Sequence, residues 1–398
     1  MNLILTDPTH RNQLLPLVYT KPVADIRIGI KTIREKWEAV FNTTSSTHTQ
    51  AYLSEKYPIK IEAKNILINA SLLPTIELVN EIKKLSENTL LFSEEEFLAC
   101  HISSEKLSAL VNQKIPVEKA NLSKQNTLST PILIKHTWDI FHLNEKAIEL
   151  DFEFIKKNQK SKRLSASNHI LGNALFVEEG AKVEYATINT KTGPVYIGKN
   201  AEIMEGSLIR GPFALCNDAV LKMGSKIYGP TTIGPHCKVG GEITNSVFFA
   251  HSNKAHDGFV GNSVIGEWCN LGADTNTSNL KNNYGSVSVW NYEDEKITKT
   301  PHQFCGLTMG DFSKSGINTM FNTGTVVGVS SNIFGGDFPP KHIPSFFWGG
   351  THLNEEFDLQ KAIESANKMM ERRRLSLTDE EKKIFTQIFN DTKKFRKP

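Results

Sequence analysis

The chain has 398 residues, with 46 basic against 43 acidic side chains and a formal net charge of +3, a balance too even to point to nucleic acid or an anionic membrane surface as a partner. Its five cysteines, Cys100, Cys216, Cys237, Cys269 and Cys305, stand far apart with no CxxC pair, which argues against a zinc site and for free thiols in a reducing compartment. The N-terminus has no basic region followed by a long apolar run, and no stretch approaches ~18 apolar residues, so a cytoplasmic protein with no membrane partner is expected.

Residues 1–158 read as an α/β domain. A short apolar strand at 2–5 is followed by a polar loop at 6–12, and then come apolar residues 14–18 and the segment 20–29. A helix is expected over about 30–40, ending near Trp37. Residues 65–69 are almost continuously apolar between polar flanks, as in a buried parallel strand. An amphipathic helix over 75–88, a strand from Thr89 to Phe92 and a helix at 144–156 complete the domain. The charged run 156–163 reads as a solvated linker, with nucleic-acid contact the weaker alternative.

Beyond it the periodicity changes. Loose hexads begin with Leu171, Val177 and Val183, and then every sixth residue from Ile197 is a large aliphatic: Ile203, Ile209, Leu215, Leu221, Ile227, Ile233 and Val239. Four residues after each stand Ala201, Ser207, Phe213, Ala219, Ser225, Thr231 and Cys237, nearly all small. A period of six is neither the 3.6 of a helix nor the two of a strand, and it predicts a parallel β-helix in which three hexads close one triangular coil. A β-sandwich would need eight hydrophobics to fall in step by chance. Gly198, Asn200, Gly206, Gly211, Gly224, Gly229 and Gly234 fall where turns need positive φ.

After Val239 the step is lost. Residues 240–255 read as a loop presented by the prism, a usual place for function. Ile265 and Leu271 resume the coil, and a longer excursion at 276–301 carries an exposed Trp290. Coils return over 305–334, Pro339-Pro340 ends them, and two amphipathic helices, about 356–373 and 378–396, are expected to pack on the prism or on a neighbouring subunit. The division is therefore 1–158, 165–340 and a helical tail at 341–398.

Three features of the first domain, Lys21-Pro22, Leu67-Ile68-Asn69 and Trp138-Asp139-Ile140-Phe141, make it resemble a shortened, Rossmann-like sugar nucleotidyltransferase domain. Such enzymes carry a G-x-G-T-R loop after the first strand and Asn-Gly-Asp after the second, the Asp holding Mg²⁺. Here the loop is Thr6-Asp7-Pro8-Thr9-His10-Arg11 and the second motif reads Asn69-Ala70-Ser71. Arg11, Lys21 and Arg27 are the candidates to hold nucleotide phosphates. Asp7 or Asp25 would substitute as metal ligand, the ligand set being unknown. For each, a solvated or stabilising charge is the plainer reading.

The segment 253–266, with Lys254-Ala255-His256, Gly261 and Ile265-Gly266, followed by Asn270-Leu271-Gly272-Ala273-Asp274-Thr275, resembles the acetyltransferase half of the bifunctional enzyme that makes UDP-N-acetylglucosamine and its archaeal counterparts. The resemblance implies a left-handed β-helix, a homotrimer with the acetyl-CoA site between subunits, His256 as catalytic base, Asn270 and Asn279 near the substrate, and Lys254 against the sugar phosphate. A histidine titrating near neutrality suits removal of a proton from an amino sugar, although a surface loop histidine is the simpler alternative. Phe259 replaces the family's Tyr, Leu280 stands where Asn279 would be followed by Tyr, leaving Tyr284 as a substitute, and Asp274 replaces Gly. The expected function is a transferase of UDP-N-acetylglucosamine biosynthesis: acetyl transfer to an amino-sugar 1-phosphate, glucosamine 1-phosphate favoured, with nucleotidyl transfer from UTP or dTTP to a sugar 1-phosphate and Mg²⁺ if that activity is retained. The alternatives are nucleotidyl transfer alone with the prism as trimerising scaffold, or a non-catalytic sugar-nucleotide-binding protein.

Overall fold

The computed structural model describes residues 2–396. The chain divides into two compact units, one gathering the residues up to Arg11, Lys21–Ile26 and Lys31–Lys135, the other Asn12–Thr20, Arg27–Ile30 and everything from His136.

The first unit is built on a six-stranded sheet whose spatial order is Ser45–His48, Asn2–Thr6, Lys64–Asn69, Glu96–Ser103, Thr89–Ser93, Ser123–Asn126. Asn2–Thr6 runs parallel to both neighbours, while Glu96–Ser103 is antiparallel to the strands that flank it. The two central parallel strands are buried along nearly their whole length, which is why they read as continuous apolar runs rather than alternations. Helix Ile33–Phe41 starts in a capping box between Thr32 and Glu35 and buries Trp37, whose indole N–H donates to Leu72 O at 2.7 Å. The helix expected over 75–88 is shorter, Ile76–Lys83, because Leu85 turns into the core and Asn88 takes a positive φ of 60°. The acidic run 94–96 hid strand Glu96–Ser103, whose interior is buried.

The second unit is a parallel β-helix with helices packed on it. Its strands stack into three sheets, and the expected register is observed. Ile197 pairs with Leu215 and Leu215 with Ile233; Ile203 pairs with Leu221 and Leu221 with Val239. Each of these side chains points into the prism, at most 1% exposed. Ala201, Ser207, Ala219, Ser225 and Cys237 are fully buried at the corners, where larger side chains would force coils apart.

Residues 240–255 depart from expectation. They are not a loop but a shortened coil: strands Glu242–Thr244, Val247–Phe248 and Asn253–Lys254 continue all three sheets. Leu215 and its partner Ile233 enclose a full coil of three hexads, whereas the next coil, from Ile233 to its partner Phe248, is half a hexad shorter. The period of six therefore vanishes while the fold persists. The true excursion lies between the coil partners Ile265 and Met309. It contains the antiparallel hairpin Ser288–Asn291 with Lys296–Lys299, closed by a bridge from Leu280 to Phe304. Trp290, expected to be exposed, stacks on His342 at 4.1 Å.

Helix Asn144–Asn158 packs Ile148, Phe152 and Ile155 against Phe176, Tyr196 and Ala214 of the prism. Gly29 is required there: its φ is +69°, and a Cβ would lie 2.7 Å from Ala147 C. Phe385, on helix Asp379–Asp391, meets Phe312 and Phe346 of the prism. Among the described residues no helix is long and apolar enough to cross a membrane.

Truncating Ile227, 1% exposed inside the prism, to Ala is expected to destabilise the unit by about 2–5 kcal/mol. Leu208→Ala, at a 52% exposed position, should stay within about 0.5 kcal/mol. Chemical denaturation of both variants checks the inward assignment.

Candidate functional site

The corner of the prism that follows each coil adopts the left-handed conformation at the same place on successive coils. The residues there are Asn200, Asp218, His236, His251, Trp268, Phe312, Ser330 and Phe346, with φ between 55° and 64°. Glycine or asparagine normally takes such positions, since a bulky residue there is strained by about 1–2 kcal/mol. Here the large side chains stack along the prism. His236 lies on His251 at 4.9 Å, and His251 on Trp268 at 4.1 Å with planes 6° apart. The ring contacts offset part of the strain.

Beside this stack two cavities meet at His256. One, of about 500 Å³, is lined by His251, Trp268 and Asn270 together with Lys238, Arg372 and Arg373. The other, of about 400 Å³, is lined by Asp257, Asp274 and Lys222. Ala255, His256 and Ala273 face both. The first cavity therefore carries three cationic side chains and no carboxylate, the second two carboxylates against one ammonium. Arg373 is held in place by donating to His236 O at 2.7 Å. His256 is exposed, and among the described residues no side-chain hydrogen bond fixes its ring.

Lys254, expected from the resemblance to meet the sugar phosphate, points inward instead. It pairs with Val239 and so occupies the column of Ile203 and Leu221, with no exposed surface. Its ammonium donates to His256 O at 2.5 Å and to Asp257 O at 2.7 Å. Burial pushes its pKa down to about 8, partly opposed by Asp257 and Asp274.

The remaining expected residues are dispersed. Asn270 lines the basic cavity. Asn279 donates to Asn262 Oδ1 at 2.8 Å at the root of the insert, and Tyr284 is 69% exposed within it; neither lines the cavities beside His256. Asp274 turns towards the acidic cavity, whereas Gly272 lines the basic one and Ala273 stands between the two.

In the first unit Arg11 is 4% and Lys21 3% exposed. Arg11 Nε lies 3.1 Å from Asp7 and its Nη2 donates to Tyr52 OH. Asp7 also accepts from Val23 N at 2.8 Å and Thr49 Oγ1 at 2.5 Å. Burial raises its pKa, against the pull of Arg11 and these two donors. Arg27 belongs to the second unit, where Nη1 donates to Ile30 O at 2.5 Å. Asp25 is paired with Arg34 at 2.5 Å. Asn69 donates to Phe97 O and accepts from the amide and hydroxyl of Ser71. These residues do not fit a Mg²⁺ site: their oxygens already accept from protein donors, and no group of three His, Cys, Asp or Glu among the described residues could hold a metal.

Comparison with known proteins bears on both halves. Residues 3–160 match the sugar nucleotidyl transferase family model. Over 172 residues the chain is 34% identical to the bifunctional protein GlmU of Methanococcus maripaludis, covering 43% of this chain and 40% of that protein. Over part of its length the chain is similar to GlmU proteins. It spans 21% of a second GlmU, from Methanococcus aeolicus, at 37% identity over 23% of its own length. The uncharacterized acetyltransferase YaiX of Escherichia coli O6:K15:H31 is 25% identical over 57% of this chain and 90% of its own length. Among solved structures, the polySia-specific acetyltransferase NeuO aligns with 48% of this chain and 87% of its own at 14% identity, with a TM-score of 0.29.

Sequence reasoning missed Lys238, His251, Trp268, Arg372 and Arg373. A signal existed: His236, His251 and Trp268 recur once per coil, and three arginines in a row follow the tail helix at 372–374.

Because Lys254 titrates near 8 folded and near 10.5 unfolded, the unfolded chain binds more protons between those values, so its contribution to stability rises with pH there. Lys254→Met should abolish that increment. Denaturation midpoints from pH 7.5 to 10.5, wild type against variant, measure it.

Proposed function

We propose that this protein is a cytoplasmic transferase of sugar-nucleotide biosynthesis that moves an acetyl group from acetyl-CoA to the amine of an amino-sugar 1-phosphate, glucosamine 1-phosphate being the favoured acceptor in UDP-N-acetylglucosamine synthesis. The observation that carries this reading is the position of His256 on the common wall of two cavities of opposite charge. The basic cavity, with Lys238, Arg372 and Arg373, suits the phosphates of coenzyme A. The acidic one, with Asp257 and Asp274, suits an ammonium. His256 takes one proton from that ammonium and the freed amine attacks the thioester carbonyl, forming the C–N bond; as the C–S bond breaks, the second proton of the nitrogen passes to the departing thiolate, and His256 releases its proton to solvent. Asn270 lines the cosubstrate side. The resemblance to acetyltransferases supports a homotrimer in which a neighbouring prism completes the cavities, and contributions from Asn279 and Tyr284 in that assembly. The five buried free cysteines accord with a reducing compartment.

A second reading, nucleotidyl transfer from UTP or dTTP by residues 1–158, has the family match over 3–160 in its favour. The engagement of Asp7, Arg11 and Asn69 within the protein stands against it. We assign the functional division as 1–158, 165–340 and 341–398, with the acetyl-transfer base in the second and Arg372 and Arg373 of the third lining the cosubstrate cavity.

Thiol release with acetyl-CoA and glucosamine 1-phosphate tests the first reading, and pyrophosphate release with N-acetylglucosamine 1-phosphate, UTP and Mg²⁺ the second. His256→Ala is expected to lower kcat by about 10²–10⁴-fold. Arg372→Ala and Arg373→Ala should each raise KM for acetyl-CoA roughly tenfold. Full activity in His256→Ala would sink the assignment.

A further inference from the structure

We infer that Lys254 is a positioning residue for His256: a cation buried inside the prism that fixes the backbone of the loop bearing the base. The inference rests on the acetyl-transfer reading above and concerns how the base is held.

The inward column containing Lys254 is otherwise apolar through the preceding coils, Ile203, Leu221 and Val239. In the next coil Leu271 follows Asn270, the partner of Asn253. An aliphatic would fill this position at no electrostatic cost. A buried ammonium is unfavourable unless its protons find acceptors. The four-carbon stem of Lys254 fills the column as an aliphatic would, and its head reaches back to the loop.

There it bonds two successive carbonyls, those of His256 and Asp257. Asp257 O also accepts from Asp274 N at 3.1 Å. Among the described residues Lys254 Nζ is the only donor to His256 O. The imidazole of His256 has no side-chain partner among those residues, so the path of its backbone sets where the ring stands. The need arises from the fold: this loop follows the shortened coil, which in this column runs from Val239 to Lys254. The corner turn at 255–258 is therefore tied down from inside. A neutral amine would still donate, so the contact survives titration of Lys254, while Asp257 and Asp274 favour the charged form.

The test uses the full chain and two readouts. Lys254→Met, which restores an apolar column, is expected to fold with an unchanged or higher melting temperature. Its kcat for acetyl transfer should fall about 100-fold, the loss that follows from misplacing a catalytic group by about an ångström, with KM for acetyl-CoA within about threefold. Amide hydrogen exchange over 255–259 and at Asp274 should accelerate at least about tenfold while the coils below keep their protection. A folded variant with wild-type kcat, or with unchanged exchange in the loop, overturns the inference. Should Lys254→Met not fold, Lys254→Gln retains a donor without the charge and is expected to recover at least about tenfold of the activity lost in Lys254→Ala; no recovery overturns the inference. If the wild-type chain itself releases no thiol, the acetyl-transfer reading fails, and the exchange measurement alone decides whether Lys254 holds the loop.

Discussion

Burial of three columns of side chains inside a triangular prism is the constraint on which the rest of this protein depends. Ile197, Leu215 and Ile233 in one column, Ile203, Leu221 and Val239 in another, and Ile209 and Ile227 in the third each lie on a counterpart one coil away. That spacing is about 4.8 Å, as in any sheet. Stacking at that interval leaves no room for inward volume to vary, so the outer features of each coil are held at fixed heights. A left-handed corner repeated on successive coils then becomes a row of side chains in contact, which is how His236, His251 and Trp268 form a stack although a whole coil of chain separates each from the next.

The same rigidity converts a change in coil length into a site. The coil between Ile233 and Phe248 falls short of three full hexads, and next to it two cavities share His256 in their common wall. Electrostatics divides the two: three cations are gathered on one side, two of them supplied by the tail helix region, and two carboxylates on the other. Lys254 belongs to both descriptions. Its stem is part of the column and its charge is part of the site.

The N-terminal unit has a different logic. Residues 3–160 match the sugar nucleotidyl transferase family model, and its central strands run parallel. Around the loop after its first strand, however, charge is neutralised internally: Asp7 is enclosed by Arg11, Thr49 and Val23. Such a buried pair stabilises only as long as both partners remain, so the loop is fixed by its own ion pair.

By itself the sequence determined the prism from 197 to 239, because six-residue periodicity in eight aliphatics has one physical solution, and it determined that the segment around His256 was the place to look. It also indicated a strand at 2–5 and a buried parallel strand at 65–69, since burial on both faces leaves a continuous apolar run. Tertiary structure decided the rest. Residues 240–255 read as a loop because removing half a hexad from a coil destroys the period without disturbing the register, and only the pairing of Lys238 and Val239 with Asn253 and Lys254 reveals the coil. Lys254 read as a phosphate ligand because the resemblance put a cation beside the substrate; its inward direction follows from its place in the column, a place where a lysine is almost never found fully buried. Arg372 and Arg373 lie far beyond His256 along the chain, and a local pattern carries no information about which distant side chains a packed helix will return to one wall. The periodic core was legible because it repeats, while the site was only partly so because it is made where the repeat fails.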